Sequence, residues 1–198
     1  MQRAPATFIY LFVLSITTWV LETSSTGVAK QLLVERSTNL LLLVEHPFKV
    51  LMTSAFWVTS TTELLLSILL FTLIASQFER WVGSGRIVVA FFLGHIGASL
   101  LVAFWIWASL NFTIGRTPET TGTDVGSSYG FASIAALYSY KFTGPMKLVY
   151  LSIIVGIAAI TLVWEPSFTN WGHLIAIAIG FGSYLLIPRR LRHKSVPD

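Results

Sequence analysis

Six apolar segments, each near the length that crosses a bilayer, constrain this chain more than any other feature. They cover about residues 6–21, 53–76, 87–110, 125–140, 146–164 and 171–187. A spanning helix needs about 20 such residues. Composition agrees, with 54% hydrophobic and 11% charged residues, where a soluble domain carries roughly a quarter charged. The expectation is an all-α membrane protein: one polytopic domain over residues 1–198, with six transmembrane helices. Residues 23–52 form too long a stretch for a plain loop and too polar a one to span. The run Leu40 to Val44, followed by Glu45-His46-Pro47, suggests a re-entrant or interfacial element.

Segments four to six are joined only by Lys141 to Lys147 and Glu165 to Asn170. Gly144-Pro145 and Pro166 supply turn chemistry there. The first segment has two readings. Arg3, a short apolar run and Thr26-Gly-Val-Ala29 fit a signal peptide with a small-residue cleavage site. Trp19 near the segment's end suits an interfacial anchor, and a retained helix is preferred.

Basic residues set the orientation, because cytoplasmic loops carry an excess of Lys and Arg. Arg3, Arg80, Arg86, Lys141, Lys147, Arg189, Arg190, Arg192 and Lys194 fall on one side if both termini are inside. The other side receives Glu119, Asp124 and Glu165, with Lys30, Arg36 and Lys49 weakening the contrast. The expected topology is N-in and C-in, in a plasma (inner) membrane. The net charge of +4 then reads as an orientation signal, and no nucleic-acid partner is expected. There is no cysteine, so disulfides and thiolate metal sites are absent. No paired carboxylates, phosphate-binding glycine loop or clustered histidines are evident, and neither a cofactor nor a metal is expected. A small transporter fits poorly, since no inverted repeat or pair of broken helices shows.

Two polar residues stand out within the apolar segments: Ser128 in Asp124-Val-Gly-Ser-Ser-Tyr-Gly-Phe, and His173 in Asn170-Trp-Gly-His-Leu-Ile-Ala. Intramembrane ionisable residues are costly and mark functional sites. A serine and a histidine are also the least that a nucleophile–base pair requires. The topology puts both near the non-cytoplasmic ends of their helices. Small residues at Gly126, Gly130, Gly172, Ala176 and Gly180 would let those helices approach closely. Serine is also common at helix interfaces, and Ser127, Ser133 and Ser139 offer the same hydroxyl. His95, in Gly94-His-Ile-Gly97, is expected nearer the cytoplasmic end as a core histidine. His46 is expected to bound the interfacial element, and His193 belongs to the charged tail.

Four stretches, in order along the chain, resemble the rhomboid family of six-helix intramembrane serine proteases. They are His46 to Phe56, Gln77-Phe-Glu-Arg-Trp-Val-Gly-Ser-Gly-Arg86, Gly126-Ser-Ser-Tyr129 at the place of the G-x-S-G motif, and Gly172-His to Gly180. The resemblance implies that Ser128 is the nucleophile and His173 the general base of a catalytic dyad. It also implies that Gly126, Ser127, Tyr129, Glu63 and Ser67 line the site or its oxyanion-binding part.

The departures bear on activity. The second helix of the family usually offers a histidine and, four residues on, an asparagine to the oxyanion; the aligned residues here are Glu63 and Ser67. Losing one such donor costs about two to three orders of magnitude in rate, and an ionised carboxylate would repel the intermediate. Glu63 is otherwise read as a structural partner for a buried group, and it is the single carboxylate evident within a span. Tyr129 replaces the glycine after the serine, so it either crowds the site or supplies a hydroxyl. Ala132 stands where many relatives stack an aromatic on the histidine, a role open to Tyr129 or Tyr138. Two functions therefore stay open: a protease cleaving transmembrane substrates, or an inactive relative that binds transmembrane partners as a subunit or adaptor.

Overall fold

The computed structural model describes residues 3–112 and 125–192. The expected loop around Glu119 and Asp124, and the tail residues His193 and Lys194, lie outside the described residues. The described chain is helical and contains no strand. Ten helices follow in order: α1 (Pro5–Thr23), α2 (Thr26–Arg36), α3 (Leu40–Glu45), α4 (Pro47–Thr53), α5 (Thr61–Val82), α6 (Ser84–Phe112), α7 (Ser128–Tyr138), α8 (Gly144–Trp164), α9 (Phe168–Gly182) and α10 (Arg189–Arg192).

Four of them, α1, α5, α6 and α8, are long and apolar enough to cross a membrane. The other two apolar segments make shorter helices. In the fourth, helix starts only at Ser128 and gives way to a 3-10 turn at Ser139–Lys141. The sixth segment ends its helix at Gly182, before the 3-10 turn Ser183–Leu186. Of these two, α7 is the more enclosed, with Tyr129, Gly130 and Ser133 to Tyr138 buried. α7 and α9 pack on each other and on α6 more extensively than any other elements do. Glycine makes this approach possible. A Cβ on Gly94 of α6 would lie 2.1 Å from Ser133 Cβ, and one on Gly180 of α9 would lie 2.3 Å from the Ser133 carbonyl oxygen. Ser133 of α7 is therefore gripped from both sides, and its hydroxyl donates to the Ala90 carbonyl at 3.2 Å. By contrast α8 buries only Ala158. Its Leu148, Ile157, Ile160 and Val163 face outward, as lipid-facing residues do.

The second span begins at Thr61 and not near residue 53, because Ser54–Phe56 is a 3-10 turn and Trp57 is extended. Ser60 then caps the helix, its hydroxyl accepting the Glu63 amide at 3.2 Å. Mid-helix, Phe71–Ala75 forms a π-helical turn. The stretch 23–52 consists of three short helices, α2 to α4. His46 both ends α3 and precedes Pro47 of α4.

The reading of Glu63 as the sole carboxylate within a span is corrected. Glu63 is exposed in the first turn of α5, and the buried carboxylate is Glu79, at 1% exposure near the other end of the same helix. Glu79 accepts the amides of Ala6 and Thr7 at 2.9 and 2.8 Å, and the hydroxyls of Thr7 and Ser84 at 2.7 and 2.6 Å. The first N–H groups of a helix have no intrahelical acceptor, and a negative charge there also meets the positive end of the helix dipole. Glu79 thus caps α1 from a distance and joins the first two long helices.

Candidate active site

The segment ahead of α7 is fixed by its backbone. Gly126 has φ +137°, a conformation that side-chain-bearing residues rarely adopt, and its amide donates to the Ser54 carbonyl at 3.0 Å. The Ser54 hydroxyl is in turn within 2.9 Å of His95 Nε2, and both residues are buried. His95 is therefore not remote from the site. It stands beneath the Val125–Ser127 segment, with its ring 6.4 Å from that of Tyr129. It is a buried histidine in the first half of α6, as expected, and Ser54 ties it to the site.

A cavity of about 280 Å3 opens between α5, α7 and α9. Glu63, Ser67, Gly126, Ser127, Ser128 and His173 all line it. Ser128, the first residue of α7, is exposed to this space, and His173 is half-buried on the facing helix. No hydrogen bond among the described residues joins them. Ser127 is buried, and its hydroxyl lies 3.5 Å from that of Ser67, at the outer limit of hydrogen bonding. Ser127 also starts the helix, its carbonyl accepting the Phe131 amide at 2.9 Å. The Ser128 amide is thus one of the unpaired donors of a helix N-terminus, where negative charge is favoured.

Tyr129 takes a different place from the one a crowding residue would. It does not line the cavity but is buried between α7 and α9. Its ring lies over Gly172, where a Cβ would come within 2.4 Å of the ring and hydroxyl. It also meets the His173 ring edge to face, with centroids 5.2 Å apart and planes at 75°. The aromatic support that Ala132 lacks comes from Tyr129. Tyr138 packs instead against Phe78, Trp81 and Tyr150.

The Glu63 carboxylate turns back along the chain and accepts the Thr59 amide at 2.8 Å. With the Ser60 cap this is close to a capping box, in which a serine and a glutamate three residues on satisfy donors at a helix start. The sequence did carry that signal, as Ser60-Thr-Thr-Glu63. Phe71, Phe131 and Thr169 also line the cavity. These wall residues, and the Ser54–His95 pair behind the wall, carry no local sequence signal, because each meets the site from a different element. Among the described residues no cluster of histidine and carboxylate side chains could hold a metal ion.

The profile of the rhomboid-like protein family matches residues 1–193, nearly the whole chain. The chain belongs to this family, and is a rhomboid-like integral membrane protein. No curated protein and no solved structure gives a match.

Proposed function

We propose that this protein is an intramembrane serine protease, with Ser128 as nucleophile and His173 as general base, on a six-span frame with both termini inside. The observation that supports it is the shared cavity: Ser128 on α7 and His173 on α9 line one space, open to Ser67 and the α7 N-terminus. His173 would take the Ser128 Oγ proton as the oxygen bonds to the substrate carbonyl carbon. It would then return that proton to the departing amine. Negative charge on the former carbonyl oxygen would meet the Ser128 amide and the Ser67 hydroxyl, replacing the histidine–asparagine donors usual in the family. The missing direct contact fits a resting site, since catalytic hydrogen bonds often tighten only with substrate bound. The substrate would be a transmembrane segment unwound near the outer face.

The test is labelling of detergent-purified protein by a fluorophosphonate probe. Labelling at Ser128 that disappears in Ser128→Ala and His173→Ala supports the proposal. A folded wild-type sample that takes up no probe sinks it.

One observation favours the second reading, a membrane-helix-binding protein without peptidase activity. Glu63 occupies an oxyanion-donor position, and its carboxylate is held as a helix cap. That reading requires a membrane partner that co-purifies equally with wild type and Ser128→Ala.

A further inference from the structure

The end of the bundle away from the cavity carries a charge that takes no part in the chemistry or partner binding of either reading. Arg3, Arg80, Arg86, Lys141, Lys147, Arg189, Arg190 and Arg192 gather where α1, α6 and α8 begin and α5, α7 and α9 end. The described carboxylate at this end is Glu79, which is buried and already accepts four hydrogen bonds. Lys141, Lys147, Arg189 and Arg190 have no carboxylate partner among the described residues.

Part of this charge is ordered by aromatic rings. Lys147 Nζ lies 5.1 Å from the centre of the Tyr140 ring. The Tyr140 ring packs on Tyr184 at 4.8 Å, and the Arg192 guanidinium sits 5.2 Å from the Tyr184 ring. Two members of the row are fixed by hydrogen bonds. Tyr140 donates its hydroxyl to the Phe181 carbonyl at 3.1 Å, and Arg192 Nε donates to the Ile187 carbonyl at 2.7 Å. Two cations are thus held on either flank of a tyrosine pair, with exposed Arg189 and Arg190 adjoining. Beside them Met146, Leu148 and Leu185 are exposed, at 64%, 67% and 77%. Fixed cations bordering an open apolar surface match an amphiphile with an anionic head and hydrocarbon tails. Tyrosines also mark the depth at which headgroups lie.

We propose that the face between the start of α8 and the C-terminal turn is a binding site for an anionic phospholipid. Lys147, Arg189 and Arg190 meet the phosphate headgroup, and Met146, Leu148 and Leu185 meet the acyl chains. Basic pockets between membrane helices take such headgroups, and cations already restrained by ring contacts lose less freedom on binding. The site is independent of proteolysis.

The test is native mass spectrometry of the full chain released from detergent, titrated with phosphatidylglycerol or phosphatidylcholine. One phosphatidylglycerol retained in preference to phosphatidylcholine is expected. The double change Lys147→Gln with Arg190→Gln should weaken retention about thirtyfold. Lys30→Gln with Lys49→Gln, at the opposite end, should leave it unchanged. The pair avoids Arg192, whose bonds to carbonyl oxygens make it a risk to folding. Equal retention of the two lipids would overturn the proposal, as would equal losses in the two double variants, which would show diffuse charge only. Displacement of the lipid by an equal concentration of inorganic phosphate would overturn the lipid assignment in favour of a simple anion site.

Discussion

Ser54 Oγ and His95 Nε2 lie 2.9 Å apart in the protein interior, and the Ser54 carbonyl holds the Gly126 amide two residues before Ser128. A histidine on α6 therefore sets the backbone that leads into α7. Removing one partner of a buried hydrogen bond leaves the other unsatisfied, at a cost of about 1–3 kcal/mol. His95→Ala should speed amide hydrogen exchange over residues 125–128 more than over α6 itself. Unchanged exchange in that segment would mean that the pair does not hold it.

The edge-to-face contact of Tyr129 with His173 separates two roles for the tyrosine. Such ring pairs contribute about 0.5–1.5 kcal/mol beyond their burial. Tyr129→Phe keeps the ring and should label with a fluorophosphonate at nearly the wild-type rate. Tyr129→Ala should label roughly tenfold more slowly. If the phenylalanine variant falls as far as the alanine variant, the hydroxyl is what matters.

Glu63 lines the cavity but spends its carboxylate on the Thr59 amide. Losing a helix cap typically costs about 0.5–2 kcal/mol. Glu63→Ala should lower the melting temperature in detergent by a few degrees without slowing probe labelling. A marked fall in labelling with stability intact would reassign Glu63 to the chemistry.

Glu79 presents the opposite case, a carboxylate that the cavity never sees. Glu79→Gln puts an amide nitrogen where one oxygen accepts hydrogen bonds from the start of α1. We expect a loss of about 1–3 kcal/mol and earlier proteolysis at the N-terminus, read by thermal scanning and limited digestion. A variant as stable as wild type would show that α1 is held by packing alone.

The apolar segments were legible because a membrane helix writes its length directly into hydropathy, and α1, α6 and α8 fall close to where the runs lie. The helix starts were less so. Ser54 to Trp57 is apolar enough to look continuous with α5, yet the backbone turns there and helix resumes only after Ser60. Ser128 and His173 could be singled out as polar residues in apolar surroundings, and both line one cavity from facing helices. Partners far apart in sequence stayed hidden. Nothing in the local pattern ties Glu79 to Thr7, or His95 to Ser54, because each pair is made only when separate helices dock. Tyr129 is the sharpest instance. Adjacent to Ser128 in sequence, it faces α9 and not the cavity, because consecutive helical residues are turned by about 100°.

The π-helical turn Phe71–Ala75 sits between two halves of α5 with different duties. The upstream half offers Glu63 and Ser67 to the cavity, and the downstream half buries Phe78, Glu79 and Val82. A π turn holds one more residue than the regular helix it interrupts, equivalent to about 100° of rotation. It therefore acts as a phase adjuster along a single rod. One residue of slack sets the direction faced by the cavity wall independently of the anchor that grips α1. Deleting Leu73, exposed within that turn, would close the slack and force a choice, with either the wall or the anchor left facing the wrong way.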